Sequence, residues 1–151
     1  MNPEQDLLST AALTSFRLNG QFLALAEELA RPVGLTAAWW QVLGAVLRES
    51  RSVSAIAREM GLTRQSVQRI ADVLVDRGLA EYRDNPAHAR AKLVQVTPAG
   101  LDAVRRIDPA HRVAAERLVA DLGRDRASEI VEALTDLAEA MDRVGDTAPA
   151  R

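Results

Sequence analysis

The groups best suited to chemistry in this chain lie in one segment, "LTRQSVQRIADVLVDRG", at residues 62–78. Its apolar residues recur at helical spacing, so the segment predicts an amphipathic helix with one polar side. The front half of that polar side carries Arg64, Gln65, Ser66, Gln68 and Arg69, and the back half carries Asp72 and Asp76. Arginine and glutamine can make paired hydrogen bonds to base edges, and serine can bond bases or phosphates. The front half therefore indicates a surface that reads DNA.

A solvated helix face is the alternative interpretation of the same residues. Arg69 and Asp72 lie three positions apart and would then form a surface ion pair, which contributes little to stability. The segment alone leaves both interpretations open, and the elements on either side of it favour the first.

The segment before it predicts the first half of a helix-turn-helix. A short helix is capped by Ser52 or Ser54, and Gly61 stands where a left-handed residue would end that helix. Its apolar face is formed by Val53, Ile56, Ala57 and Met60. Thr63 is then the N-cap of the next helix, which leaves a tight turn of about three residues between the two.

The segment after it predicts a β-hairpin. Two runs with β character, "LAEYR" and "AKLVQV", enclose the turn-rich stretch "DNPAHAR". A hairpin with a basic tip is therefore expected from about Leu79 to Val96. A helix-turn-helix followed directly by such a hairpin is a winged helix.

The rest of the chain predicts helices on both sides of this lobe. Residues 3–29 have a helical period with two apolar stripes, "RPVG" breaks that helix, Thr36 caps a second helix at "AAWWQVLGAVL", and "RESRS" is expected to be a polar loop. "TPAG" starts a helix that runs towards Leu122, in which Pro109 should introduce a kink or a split. A last helix is expected at about 125–144, and residues 145–151 are expected to form a disordered tail.

Composition excludes several classes of function. The 151 residues include no cysteine, which rules out disulfides, thiol chemistry and cysteine zinc sites, and no ligand spacing joins the two histidines. No nucleophile–base pair or phosphate loop is visible, so we expect neither catalysis nor a metal or cofactor. The net charge is −2, yet residues 48–92 hold nine Lys or Arg against six Asp or Glu, a weak sign of a nucleic-acid binder. Without an apolar span or a basic leader, the chain is expected to be cytoplasmic.

These motifs, taken in order, resemble the core of the MarR family (multiple antibiotic resistance regulators). Residues 62–100 resemble its recognition helix and wing, with an "L-x-x-x-GL" exit at 74–79, an "R-x-x-P" wing entry at 83–86 and the "TPAG" restart. "SAIAREMGLT" and "LTAAWWQVL" resemble the two preceding helices, so the similarity covers most of residues 35–100.

The resemblance implies a mainly α fold with a small β-hairpin wing, built as an obligate homodimer. It implies an N-terminal dimerisation helix within residues 1–34, a winged helix-turn-helix DNA-binding domain at 35–96 and C-terminal dimerisation helices within 97–144. The implied function is a transcriptional regulator, usually a repressor, that binds double-stranded DNA at a palindromic operator. A small aromatic or anionic effector would release it.

Two groups of site residues follow. The predicted DNA-binding residues are Thr63, Arg64, Gln65, Ser66, Gln68, Arg69, Arg83, His88, Arg90 and Lys92. The predicted effector-binding residues are Phe16, Trp39, Trp40, His111 and Arg112. Core and dimer packing is the alternative interpretation of the aromatic members, and a solvated helix surface is the alternative for His111 and Arg112. His88 stands where the family commonly has an aspartate that would tether the wing arginine, which leaves the geometry of the wing open.

A protein-interaction adaptor is the alternative function. Such a protein would keep the dimeric winged fold without binding DNA. The Arg, Gln and Ser side chains at the front of the recognition helix and the basic wing argue against it, and a salt-dependent gel shift separates the two.

Overall fold

The computed structural model describes residues 2–146, which form six α-helices and a three-stranded antiparallel sheet. The helices are α1 Pro3–Ala30, α2 Ala37–Ala45, α3 Val53–Met60, α4 Arg64–Asp76, α5 Pro98–Leu122 and α6 Arg124–Asp146, and the strands are β1 Arg51–Ser52, β2 Ala80–Arg83 and β3 Leu93–Val96. The described residues fall into two compact units, divided after Asp108. The predicted class, mainly α with a hairpin wing, is confirmed.

Side-chain caps define the start of α2. The backbone N–H of Trp39 donates to Thr36 Oγ1 at 3.1 Å, as the sequence predicts. The Ala37 N–H donates to the Glu27 carboxylate of α1 at 2.8 Å, and the positive end of the helix dipole favours a negative charge there. The helix ends at Ala45, two residues earlier than predicted, because the chain tightens into bonds between residues three apart.

The helix-turn-helix forms as its sequence predicts. Ser52 caps α3 by accepting from the Ala55 N–H at 3.2 Å, and Gly61 ends that helix with a left-handed φ of 64°. Thr63 then caps α4 by accepting from the Ser66 N–H at 3.0 Å. A left-handed residue between two capped helices turns the chain sharply, and this sets the direction of α4.

The segment "RESRS" differs from the prediction of a loop. Arg51–Ser52 forms β1 and pairs antiparallel with β3, giving the strand order β1-β3-β2. Arg51 also bonds the Glu59 carboxylate at 2.8 Å and therefore holds α3 beside this strand. Two residues are too few to show the alternation by which strands are recognised in a sequence.

The core of the first unit fixes which face of α4 points outward. Val67, Ala71 and Leu74 are fully buried, and they pack with fully buried side chains of the other elements: Val42, Leu43, Ile56 and Val94. Burying one apolar side of a helix leaves the opposite side in water. The predicted reading residues of α4 therefore lie on the exposed side of the helix or at its edge.

Helix α5 is not split at Pro109. Of the kink or split that the sequence predicts, the split is wrong, because one helix runs from Pro98 to Leu122, and the kink stays a prediction. Proline removes the bond that its N–H would make to the carbonyl of Arg105, and both residues are exposed, so water can satisfy that carbonyl. The last helix ends at Asp146, slightly beyond the prediction, and the remainder of the predicted tail, 147–151, lies outside the described residues.

The junction between wing and α5 depends on a close backbone contact at Gly100. A Cβ atom at this buried position would lie 2.0 Å from the carbonyl oxygen of Leu79. Thr97 closes the same junction, since its hydroxyl donates to the Gly78 carbonyl at 2.6 Å and accepts from the Gly100 N–H.

We predict that Gly100→Ala lowers stability by about 1–3 kcal/mol, because the backbone must shift to admit a methyl group. Thermal unfolding at fixed protein concentration measures this as a lower Tm. Gly44→Ala is the matched control, since nothing lies within 4 Å of a Cβ there and α2 should gain up to about 1 kcal/mol of helix propensity. Equal Tm changes in the two variants would contradict the prediction.

Candidate nucleic-acid interface

A concave surface lies between the front of α4, the start of α3 and the tip of the wing. It has a volume of about 980 Å³ and contains six of the ten predicted DNA-binding residues: Arg64, Gln65, Gln68, His88, Arg90 and Lys92. None of its lining residues is acidic. The fold thus brings side chains predicted to read bases and to bind phosphates from two separate segments to one basic surface.

The front of α4 offers side chains that are not committed elsewhere. Among residues 2–146, Arg64, Gln65 and Arg69 are exposed and make no side-chain hydrogen bond or ion pair. The surface ion pair between Arg69 and Asp72 does not form, and Asp72 Oδ1 instead accepts from Gln68 and Tyr82. These three side chains are therefore available to an external ligand.

Two predicted site residues serve the helix end instead. The Thr63 hydroxyl accepts from the Ser66 N–H and donates to Ser66 Oγ at 2.8 Å. The two hydroxyls are thus joined to each other at the first turn of α4. They hold the helix N-terminus in place, and their role toward DNA stays a prediction.

Three residues join α4 to the wing in what we call the Gln68 cluster: Gln68, Asp72 and Tyr82. The Gln68 amide nitrogen donates to Asp72 Oδ1 at 3.0 Å and to the Tyr82 hydroxyl oxygen at 2.9 Å. The Tyr82 hydroxyl donates a short hydrogen bond to the same Asp72 oxygen. Burial raises the pKa of the Tyr82 phenol, and the hydrogen bond and charge of Asp72 raise it further, so the phenol keeps its proton at neutral pH.

Tyr82 was not among the predicted site residues. It lies opposite Val94 in the hairpin register, on the sheet face that packs against the core, and this places its hydroxyl beside α4. The alternation of side chains along "LAEYR" could have indicated that face. The register that brings Tyr82 beside Asp72 requires the folded hairpin.

Arg83 lies away from the concave surface. Successive side chains of a strand point to opposite faces, so Arg83 shares its face with Glu81 and not with Tyr82. Its guanidinium bonds the Glu81 carboxylate at 2.8 Å and the Gln95 amide oxygen at 2.8 Å. The structure does not bring this predicted DNA-binding residue together with the others.

The wing tip is shaped by turns within the turn-rich stretch that the sequence predicts. Asn85 accepts from the Ala87 N–H through its side chain at 3.0 Å and from the His88 N–H through its carbonyl at 3.2 Å. A further turn follows, in which the Ala91 N–H donates to the His88 carbonyl at 3.3 Å. Local backbone bonds therefore order the tip without the missing aspartate.

The three predicted aromatic effector residues do not all line one hollow. A hollow of about 410 Å³ is lined by Trp40 together with Phe22 of α1, whereas Phe16 and Trp39 do not line it. The Arg77 guanidinium, at the C-cap of α4, instead lies over the Trp39 ring with its Cζ atom 4.7 Å from the ring centroid. His111 and Arg112 lie on α5 in the second compact unit.

Metal sites and membrane spans are both absent from the described part of the chain. No group of three or more His, Cys, Asp or Glu residues that could hold a metal ion occurs there. No helix there is long and apolar enough to cross a membrane.

Sequence comparison gives a family match and relatives of unknown function. The MarR family matches residues 33–91, which include the whole helix-turn-helix and most of the wing. An uncharacterized protein of Mycobacterium tuberculosis strain H37Rv is 42% identical over 85 residues, covering 56% of this chain, and a protein of Mycobacterium bovis matches equally. The chain spans about three fifths (59%) of the length of these curated relatives.

Solved structures share the fold along most of the chain. A MarR mutant from E. coli complexed with operator DNA is 19% identical, with a TM-score of 0.73 over 91% of this chain and 99% of that one. MosR of M. tuberculosis in complex with DNA is 26% identical, with a TM-score of 0.68 over 87% and 97%. CouR of Rhodococcus jostii RHA1 bound to p-coumaroyl-CoA is 24% identical, with a TM-score of 0.70 over 85% and 91%.

The family match and the fold agree with the geometry of the concave surface. The matched residues 33–91 contain α2, α3, α4 and the wing tip, and the concave surface is formed by the last three of these elements. Residues 33–91 of this chain match the MarR family, and the chain shares the winged helix-turn-helix fold of solved MarR-family regulators.

Proposed function

We propose that this protein is a homodimeric DNA-binding repressor that a small effector releases from a palindromic operator. The observation that carries the proposal is the concave surface, where uncommitted side chains of α4 stand beside basic wing residues and no acidic residue lines the wall. In a helix-turn-helix the front of the second helix enters the major groove. The wing would then meet the phosphates or the minor groove alongside.

A dimer is proposed because both ends of the chain expose apolar side chains. On α1, Leu7, Leu13 and Phe16 are 73%, 68% and 71% exposed in the single chain. On α6 the exposed apolar residues include Val131, Leu134 and Met141, and none of the described α6 residues is buried. Surfaces of this kind usually mark a protein interface. A twofold dimer would place two recognition helices about 34 Å apart and match a palindrome.

The hollow beside Trp40 is our candidate effector site. Besides Trp40 and Phe22 its lining includes Asn19 and Gln41, and its one charged member, Glu59, is already paired with Arg51. Aromatic walls, two amides and no cation favour an uncharged aromatic compound over an anion. CouR, which shares the fold, is bound to p-coumaroyl-CoA, whose acyl group is aromatic but whose coenzyme A part is anionic, so it supports the aromatic character of the proposed effector and not its charge.

A route from this hollow to α4 is short. Trp40 follows Trp39 on α2, and the Trp39 ring contacts Arg77 at the C-cap of α4. An effector that moved α2 would therefore act on the end of the recognition helix. To release most of the bound protein, the effector must bind the DNA-free state more tightly than the DNA-bound state by several kcal/mol.

The decisive experiment is a gel shift with the DNA upstream of the protein's own gene over a series of salt concentrations. We expect a specific complex whose affinity falls steeply with salt, as phosphate contacts require. Deleting the gene should raise expression from that DNA. Absence of any DNA complex would favour the adaptor function instead.

We predict that reading and phosphate-binding residues differ in their effect on specificity. Gln65→Ala and Arg69→Ala should relax sequence preference, because a bidentate bond to a base edge discriminates by about 1–3 kcal/mol. Arg90→Ala should lower the affinities for operator DNA and for random DNA by similar factors, because a wing arginine contacts the DNA backbone or a narrow minor groove. Competition binding with both DNAs measures the ratio. A reading role for Arg69 is contradicted if its removal lowers both affinities equally.

We predict that Val131→Glu dissociates the dimer. A charge placed without a partner in an apolar interface costs about 3–5 kcal/mol, whereas the same change on a solvated face costs almost nothing. Sedimentation at micromolar concentration should show a dimer for the unaltered protein and a smaller species for the variant. Ser128→Glu adds the same charge on α6 but away from the face that carries Val131, Leu134 and Met141, so it should leave the dimer intact. A stable folded monomer of the unaltered chain would refute the proposal.

We predict that an uncharged planar aromatic ligand quenches Trp40 fluorescence and weakens DNA binding. Trp39 and Trp40 are the two tryptophans of the chain, so Trp40→Phe should remove the quenching and Trp39→Phe should retain it. The test is a titration with a panel of aromatic compounds, followed by gel shifts with each hit. A ligand that quenches Trp40 yet leaves DNA affinity unchanged would contradict the coupling.

A further inference from the structure

The Gln68 cluster fixes which end of an amide faces outward. The Asp72 carboxylate can only accept hydrogen bonds, so Gln68 must present its nitrogen to it. The Tyr82 hydroxyl has one hydrogen and gives it to Asp72, so its oxygen accepts from the same Gln68 nitrogen. With the amide reversed, the Gln68 oxygen would face the carboxylate without a hydrogen between them. The cluster is therefore satisfied with the nitrogen inward and the oxygen turned away.

This orientation matters because Gln68 lines the concave surface. An unrestrained glutamine can turn either end of its amide to a base, so it can donate to one base and accept from another. Adenine and cytosine present amino donors in the major groove, whereas guanine and thymine present acceptors there. A glutamine held by its nitrogen can distinguish these two classes.

We propose that Tyr82 and Asp72 are positioning residues that turn the Gln68 amide oxygen toward the major groove, so that it selects a base bearing an amino group, adenine N6 or cytosine N4. The proposal rests on the proposed DNA-binding function and adds a specificity rule to it. The wing strand thereby takes part in base selection without touching the base. Two bonds to Gln68 also restrict its rotamers before DNA arrives, which reduces the entropy cost of binding.

The first step of the test locates the base pair that Gln68 reads. The full-length protein and Gln68→Ala each select binding sites from a library of random duplexes. We expect one position in each half-site whose preference is present with the unaltered protein and absent with Gln68→Ala. A preference that Gln68→Ala leaves unchanged throughout the site overturns the inference.

The second step removes single functional groups from the DNA. At the Gln68-dependent position, adenine is replaced by purine, or cytosine by pyrimidin-2-one, which deletes only the amino group. We expect the affinity of the unaltered protein to fall by about five-fold or more, the size of one good base contact. Gln68→Ala should respond much less to the same duplex, which controls for the weakened base pair. Equal decreases in the two proteins would show that Gln68 does not bond the amino group.

The third step separates positioning from a structural role. Asp72→Ala should still bind DNA but should be much less sensitive to the deleted amino group, because the Tyr82 hydroxyl can donate or accept and Gln68 is then free to turn. Tyr82→Phe should lose less sensitivity, because the Asp72 carboxylate still accepts only from the amide nitrogen. Asp76→Ala removes the same charge from the same helix, and among the described residues Asp76 makes no hydrogen bond or ion pair. This control should bind all duplexes more tightly, because a negative charge has been removed, with unchanged sensitivity.

The outcomes distinguish the two proposals. If the unaltered protein enriches no sequence at all, the DNA-binding function fails and the specificity rule falls with it. If it enriches a sequence but Asp72→Ala keeps full sensitivity to the amino group, only the positioning role is overturned.

Discussion

The burial of one face of α4 is the constraint on which the rest of the structure depends. Val67, Ala71 and Leu74 are completely buried, so rotating this helix would expose apolar surface worth about 25 cal/mol per Å². The helix therefore has one orientation, with Arg64 and Gln65 directed outward. Strand β3 packs on the same core through Val94, and this positions the wing beside the helix. A hydrophobic core thus sets the geometry of a polar surface.

The sequence predicted the elements that have strong local signals. Thr36, Thr63 and Gly61 each act through bonds or φ values within a few residues of themselves, so their roles could be predicted from the chain. Strand β1 and the continuity of α5 through Pro109 could not, because one depends on pairing with a distant strand and the other on water access to a single carbonyl. The roles of the predicted DNA-binding residues stay predictions.

The residues of the candidate site also fall into those that local periodicity predicts and those that depend on the folded hairpin. Periodicity along α4 identified Arg64, Gln65 and Gln68 as polar residues on one side of a helix, and the structure places all three on the concave surface. Tyr82 is fourteen positions from Gln68 and was missed, although it bonds that residue directly. Arg83, which did belong to a family motif, is turned to the other sheet face by the pleat. Alternation along the strand could have separated Tyr82 from Arg83, but the register that brings Tyr82 beside Gln68 depends on pairing across the hairpin, which no local pattern contains.

The order of polar residues along α4 has a physical reason beyond solubility. An acidic residue near DNA repels phosphate, so Asp72 would be unfavourable one turn behind Gln68 if charge alone mattered. Its carboxylate, however, accepts bonds from both Gln68 and Tyr82, which keeps the amide oxygen of Gln68 outward and the wing strand beside the helix. In the proposed complex the repulsion would act on every DNA sequence alike, whereas the orientation of Gln68 would act on one base pair. The acidic residue would thus weaken binding in general and sharpen the choice among sequences, which is the balance that a regulator facing a large excess of non-specific DNA needs.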